Sequence, residues 1–272
     1  MKLSEIYKIV DGVAPKALSD ELCQTYGWYD NSGILVDTDE EINSVVFSLD
    51  LSAGAIELAI EKGAKLIVTH HPAIYGKISR IDYHDSGLLG TKLIKCIKNG
   101  ISVISMHLNL DIAKGGIDES LMQGILLAAG KSEGAGTDVI AKQMVVSEGA
   151  YGRVYEIPAV KLGTIAENMK KVFDTDRVTV YGDKDKEVTL AASFCGAGGD
   201  EGAVSFAVKT GANVMVSADF KHHVLALAAE SGLSVITLTH YASEEYGFKK
   251  YYEKIGRQVD IPCYFHEEKD LR

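Results

Sequence analysis

Three short apolar runs end in histidine: Leu66–His71 reads LIVTHH, Val103–His107 reads VISMH and Val235–His240 reads VITLTH. Two of these histidines are trailed by an acid four residues later, Asp111 after His107 and Glu244 after His240. Imidazole nitrogens mixed with carboxylate oxygens suit borderline divalent ions such as Zn, Fe, Mn, Co or Ni. A single strand-end histidine more often caps a backbone carbonyl than holds metal. Asp111, in LNLDIAKGG, would serve equally as a helix N-cap ahead of a glycine-rich turn. Recurrence raises the set above these readings, because ligands in open parallel sheets gather beyond the carboxyl ends of the strands.

Local geometry sharpens two of the positions. Adjacent strand residues point to opposite faces, so His70 and His71 can share one cavity only if the strand breaks between or at them. Pro72 follows and supports such a break; the pair could then serve two neighbouring ions. If a helix starts at His240, spacing of four puts Glu244 on the same face. Other segments stay open between two readings. Cys195–Gly202, CGAGGDEG, follows a strand and opens a helix, so it is a phosphate cradle or a tight turn. It fits neither GxGxxG nor GxxxxGK[ST]. His222 and His223 open a helix as solvated residues or as groups assisting a site, whereas His84 and His266 read as surface. Trp28 and Tyr29 read as a core aromatic pair in a loop leading into a strand.

The elements that must position these side chains follow from hydrophobic period. Val45–Asp50, Lys65–His71 and Ser102–His107 read as buried strands, with helices over Ala53–Lys62 and Gly87–Asn99 between them. Further strands are expected at Gln143–Ser147, Gly152–Ile157, Val188–Phe194, Asn213–Ala218, Ser234–Thr239 and Gln258–Phe265. Helices are expected over Val160–Phe173 and Glu245–Ile255. Alternation of strand and helix predicts an α/β fold with largely parallel sheets. Gly54–Thr69 (GAIELAIEKGAKLIVT) echoes Gly202–Ser217 (GAVSFAVKTGANVMVS), and Gly100–Met106 echoes Gly232–Leu238. Two echoes in the same order indicate duplication of an α/β half. Soft boundaries fall at Gly130–Thr137 and Asp183–Glu187. The expected halves are 1–128 and 129–272, with about 240–272 packing back on the first half.

Composition bounds the functional classes. The 272 residues carry 38 acidic against 28 basic side chains, a net charge of −10 that argues against nucleic acid as a partner. No apolar run approaches the roughly 18 residues needed to span a bilayer. Glu5 and Asp11 stand where a signal peptide would be apolar, and the four cysteines form no CxxC pair. The expectation is a cytoplasmic protein with reduced thiols and no membrane partner.

Taken in order, five segments resemble the GTP cyclohydrolase I type 2 homolog family, also called the Nif-three-like family. WYDNSGILV (Trp28–Val36) is similar to its W-D-N-x-G-L-x-V element, and LIVTHHPAIY (Leu66–Tyr75) to its L-I-x-x-H-H-P-x-x-F signature. HLNLDIAKGG (His107–Gly116) resembles H-T-N-L-D-A-A-x-G-G, with Leu108 for Thr. Gly211–His223 resembles G-A-D-x-x-x-x-G-D-x-x-x-H, with Ala218 where Gly is frequent, and His240–Glu244 (HYASE) resembles G-H-Y-x-S-E. The length matches the compact form without a central insert domain.

That resemblance implies duplicated, intertwined three-layer α/β halves with a dimetal site in the cleft, and a toroidal homohexamer built as a trimer of dimers. By motif, the implied metal ligands are His70, His71, Asp111, His240 and Glu244, with two divalent ions per chain. Glu244, having two oxygens, is the bridging candidate; His107 and His223 are candidates for proton transfer. The first functional expectation is a metal-dependent hydrolase acting on a nucleotide or small polar substrate. The alternative is a non-catalytic metal-binding scaffold or metal chaperone acting through protein partners. A ring around DNA is disfavoured, since a hexamer would carry about −60.

Overall fold

The computed structural model describes residues 1–84 and 88–272. In chain order its strands are β1 (Gly33–Val36), β2 (Val45–Ser48), β3 (Leu66–Thr69), β4 (Ser102–Ser105), β5 (Val139–Val146), β6 (Gly149–Lys161), β7 (Thr179–Tyr181), β8 (Glu187–Ser193), β9 (Val214–Ser217), β10 (Ser234–Thr237) and β11 (Cys263–Phe265). Its helices are α1 (Leu3–Val13), α2 (Lys16–Tyr26), α3 (Ala53–Lys62), α4 (Leu89–Lys98), α5 (Leu108–Ile112), α6 (Ile117–Ala128), α7 (Leu162–Val172), α8 (Glu201–Lys209), α9 (His222–Glu230) and α10 (His240–Gly256). They fall into two units. Unit 1 comprises Met1–Ala113 and Phe248–Glu268, and unit 2 comprises Lys114–Gly247 and Lys269–Arg272. No described helix is long and apolar enough to cross a membrane.

In unit 1 the sheet order is β1-β4-β3-β2-β11. The pairings β4–β3, β3–β2 and β2–β11 are parallel, and β1 closes the edge antiparallel to β4. Every residue of β2, β3 and β4 is buried, which explains why these runs are rich in β-branched residues and do not alternate apolar with charged ones. Ile56, Ala59, Leu93 and Cys96 from α3 and α4 pack on Val46, Ile67 and Val103 of the sheet. On the other flank Phe248 and Tyr252, from the later part of α10, lie with Phe47 and Phe265, ring centroids 5.3–6.3 Å apart.

In unit 2 the order is β5-β6-β8-β9-β10-β7. The central pairings β8–β9 and β9–β10 are parallel, while β5–β6, β6–β8 and β10–β7 are antiparallel. Both sheets are therefore mixed, with parallel strands at their centres. The repeat read in the sequence maps onto α3–β3–α4–β4 and α8–β9–α9–β10. It extends one step beyond the quoted residues: Ser52 caps α3 by accepting from the Ala55 amide at 3.0 Å, and Asp200 caps α8 by accepting from Ala203 at 2.7 Å.

Several expectations change in detail. The strands expected at Gln143–Ser147 and Gly152–Ile157 lengthen into one hairpin, β5–β6. The closing strand shortens to Cys263–Phe265, because Pro262 has no amide to donate and enters the ladder only through its carbonyl, accepting from Val45 at 2.9 Å. The helix expected over Gly87–Asn99 runs from Leu89 to Lys98, Gly87 lying outside the described residues. Trp28 and Tyr29 are exposed rather than core, Tyr29 meeting Tyr75 edge-on at 5.4 Å. His84 is exposed as expected, but His266 is half-buried, its Nε2 2.9 Å from Glu268 Oε1.

Candidate metal centre

The strand break required for His70 and His71 is present. β3 ends at Thr69, and the amides of both histidines donate to the same carbonyl, Leu49 O, at 3.1 and 2.9 Å. Thr69 Oγ1 donates to the His71 carbonyl at 2.8 Å, and the Ala73 amide donates to Ser105 Oγ at 3.0 Å. The tight turn brings both rings to one side, with centroids 4.9 Å apart.

His107 leaves β4 in the same direction, its ring centroid 5.3 Å from that of His70 and 5.9 Å from that of His71. It precedes α5, and Asp111 is buried inside that helix with its amide donating to His107 O at 3.0 Å. The N-cap reading of Asp111 is thereby corrected: Gly116 occupies the N-cap of α6. Asp111 Oδ1 stands 3.5 Å from His70 Nε2, and His70, His107 and Asp111 offer ligand atoms all within 4.8 Å of one another.

Unit 2 holds a second set of its own. α10 begins at His240, five residues earlier than the sequence pattern placed it, and its first turn sets His240 Nε2 3.1 Å from Glu244 Oε1. Gly196, at φ 57°, lies against this pair. A Cβ there would stand 2.1 Å from Glu244 Oε1 and 3.3 Å from His240 Nε2, so the glycine leaves room that any other residue would fill. Its amide donates to Ser243 Oγ at 3.0 Å.

One feature unites the four histidines. Nδ1 of His71 lies 2.9 Å from Asp50 Oδ1, that of His107 2.9 Å from Asp30 Oδ1, that of His240 2.6 Å from Asp219 Oδ2, and that of His70 2.8 Å from Met106 O. Carbonyl and carboxylate oxygens accept, so each Nδ1 carries a proton, which leaves Nε2 as the ring nitrogen that would face a metal ion. Metal-ligating histidines are oriented in this manner by their outer partners. The donor set of unit 1 alone, imidazole Nε2 atoms beside a buried carboxylate, fits a divalent transition ion.

Asp30, Asp50 and Asp219 went unread as functional groups in the sequence. For two of them a signal exists. Asp50 precedes His71, and Asp219 precedes His240, by the same 21 residues. Each pair sits at the ends of consecutive parallel strands, β2–β3 and β9–β10, so the register sets acid and histidine side by side. Asp30 reaches His107 across the antiparallel β1–β4 edge and has no such spacing.

The His107–Asp30 pair is electrostatically committed. Burial opposes the charge on both groups, but their mutual hydrogen bond and charges prevail, raising His107 and lowering Asp30 from their usual pKa ranges. Asp30 also accepts from Ser32 Oγ at 2.6 Å, and Ser32 Oγ accepts from the His107 amide at 3.0 Å.

The remaining sequence candidates are placed as follows. His223 is exposed at the start of α9, its Nε2 2.7 Å from Glu201 Oε1, and His222 beside it is exposed. In CGAGGDEG the carboxylate of Asp200 occupies the N-terminus of α8, where a phosphate would have to sit. A Cβ on Gly198 would meet Phe194 Cβ at 2.3 Å and Tyr151 Oη at 2.6 Å, so packing demands the small residue.

Comparison with known proteins identifies related sequences and a shared fold. Residues 1–270 match the sequence model of the family described as Duf34/NIF3 (NGG1p interacting factor 3). A "GTP cyclohydrolase 1 type 2 homolog" from Clostridium perfringens is 30% identical over 274 residues, covering 100% of this chain and 98% of the relative. One of the same description from Methanocaldococcus jannaschii is 29% identical, covering 96% and 97%. Among solved structures, reduced HcgD from Methanocaldococcus jannaschii aligns with a TM-score of 0.76 at 27% identity, covering 97% of each chain. A Bacillus cereus protein related to NIF3 aligns with a TM-score of 0.78 at 20% identity, covering 98% and 97%.

Proposed function

The chain belongs to the Duf34/NIF3 family, and on that footing we propose that it is a dinuclear divalent-metal protein that hydrolyses a nucleotide or other small polar substrate. The ligands of this reading are His70, His71, Asp111, His240 and Glu244. The observation that carries the reading is the shared anchoring of the four histidines, each with Nδ1 on an oxygen, together with Nε2 of His70 beside Asp111 and Nε2 of His240 beside Glu244. The descriptions of the Clostridium perfringens and Methanocaldococcus jannaschii relatives support guanosine triphosphate as the first substrate to try.

Two divalent ions held by these side chains would supply Lewis acidity for a substrate oxygen and would activate a water for attack at neutral pH. The protein's own part is positional. Asp50 and Asp219 keep His71 and His240 in the tautomer that ligates, and the Met106 carbonyl does the same for His70. His107, held at Nδ1 by Asp30, is placed to take a proton at Nε2 from water and pass it to the leaving group. Gly196 keeps the space beside Glu244 open to substrate. Self-association into a homohexamer belongs to the same reading, and light scattering on the purified protein tests it.

The test is elemental mass spectrometry on protein purified without chelator, beside Glu244→Ala, followed by a substrate panel of GTP, phosphoesters and amides. The reading expects about two divalent ions per chain, a sharp fall in the variant, and saturable turnover of one substrate by the metal-loaded protein. Little metal in either protein removes the site. Stoichiometric metal with no turnover removes the hydrolase and leaves a metal-binding scaffold.

A further inference from the structure

We propose that Arg272 is a positioning residue for the metal-ligating start of α10, acting through Glu245; the inference rests on the metal-binding reading above. α10 opens with two adjacent buried acids, Glu244 and Glu245. Successive helical residues point about 100° apart, so only one of them can face His240 at a time. Glu244 does so, 3.1 Å from His240 Nε2. A second buried carboxylate beside it is disfavoured both by loss of hydration and by like charge.

Arg272 resolves this conflict. Its guanidinium grips Glu245 as a fork, Nε to Oε2 at 2.8 Å and Nη2 to Oε1 at 2.8 Å. Nη1 donates to Asp174, just past α7 in a left-handed backbone conformation with φ 49°. Tyr241 Oη donates to the same Glu245 Oε1 at 3.3 Å. The 3₁₀ turn before Arg272, Lys269–Leu271, is tethered in turn by Arg177 Nη1, which donates to Asp270 O at 2.8 Å.

The fork does two things that bear on the ligands. It neutralises Glu245, so that this carboxylate is committed to an arginine and does not compete for a metal ion. It also fixes the rotation of the first turn of α10, which keeps Glu244 directed at His240 and the Gly196 backbone. Without it the Glu245 charge is left buried, and turning the first turn toward solvent would carry Glu244 away from His240. A lysine supplies the charge but cannot take both oxygens in one plane.

The experiment titrates cobalt(II) into metal-free protein and reads both the dissociation constant and the visible absorption of the bound ion. It compares wild type with Arg272→Ala, Arg272→Lys, Arg177→Ala and the pair Arg272→Ala/Glu245→Ala. Arg272→Ala is expected to weaken cobalt binding about tenfold or more and to alter the spectrum, in the range seen for outer partners of metal ligands. Arg272→Lys should fall between it and wild type. The double variant, which removes the buried charge as well, should bind more tightly than Arg272→Ala alone. Arg177→Ala, which loosens the same turn without touching Glu245, should weaken cobalt binding far less than Arg272→Ala.

Wild-type affinity and spectrum in Arg272→Ala overturn the inference whatever happens to its thermal midpoint, and so does an equal loss in Arg177→Ala. If Arg272→Ala is recovered unfolded, Arg272→Lys decides on the same two readouts. Wild-type protein that takes up no cobalt overturns instead the metal-binding reading on which the inference stands.

Discussion

The carboxylate of Asp219 lies 2.6 Å from Nδ1 of His240, presented by a backbone in the left-handed region at φ 55°. An L-residue at that conformation carries strain of roughly 1–2 kcal/mol. Asp tolerates it better than most, and here its oxygen fixes the tautomer of a ligand candidate. Strain of this kind collects where a side chain must be aimed.

Asp219 can therefore be separated into a backbone and a side-chain contribution. Asp219→Ala should lower metal affinity by about 10–100-fold, as removal of an outer partner does, and should also destabilise the fold. Asp219→Gly should lose the same metal affinity while its thermal midpoint stays above that of Asp219→Ala, since glycine adopts φ 55° freely. Metal titration together with thermal melting of both variants checks this. Equal midpoints with equal affinities would remove the distinction.

A second prediction concerns Gly196. Its added Cβ would lie 2.1 Å from Glu244 Oε1, and its φ is 57°. Gly196→Ala should displace Glu244 from His240 and should cost roughly 1–2 kcal/mol in backbone strain alone. The expected result is a clear loss of bound metal, read by elemental analysis, with a modest drop in the urea midpoint. Full metal content in the alanine variant would show that the carboxylate has another place to go.

How much of this was legible in the residues differs from element to element. The strand-end histidines stood out because buried parallel strands read as unbroken apolar runs, so their ends are sharp. Trailing acids at a spacing of four were visible for the same reason helices are. The carboxylates behind the histidines were not, because their contacts depend on strand register. Asp50 meets His71 only because Ser48 pairs with Thr69 in β2–β3, and Asp30 meets His107 across 77 residues. The amphipathic pattern of α1, with Leu3, Ile6 and Val10 buried, was present in the sequence and went unread beside the stronger α/β alternation. The clamp between Glu245 and Arg272 had no local signal, since its partners are brought together by the path of the last residues.

The third prediction is one of stability. Asp118 and Arg153 form a buried ion pair in unit 2, and Asp118 also accepts from the amides of Gly152 at 3.1 Å and Cys195 at 3.3 Å. Asp118→Ala would leave the buried guanidinium with only Glu119, 3.8 Å from Nη2, and would remove the carboxylate to which the Gly152 and Cys195 amides donate. The loss expected from equilibrium urea unfolding is about 3–5 kcal/mol. Replacing both partners, Asp118→Leu with Arg153→Met, should recover much of the charge penalty but not the two amide bonds. A double variant as unstable as Asp118→Ala would place the whole effect on those amides.

Cys96 supplies the pH prediction. It lies on α4 in the core of unit 1, and burial pushes its thiol from the ordinary 9.0 up to about 11. At pH 8 the folded protein should then hold only about one thiolate in a thousand at this position, and native labelling by a thiol reagent should spare Cys96 until urea is added. The sign of the linkage follows from the upward shift. The folded state holds the thiol proton more tightly than the unfolded chain, so the contribution to stability is fully present below pH 9.0 and is lost as pH rises toward about 11. Comparing wild type with Cys96→Ala isolates it from the buried tyrosines, which shift upward in both proteins. The stability difference between the two should hold constant from pH 7 to 8.5 and shrink between pH 9 and 11. A difference that stays flat across that window would mean that the thiol is ionised no less readily in the fold than outside it.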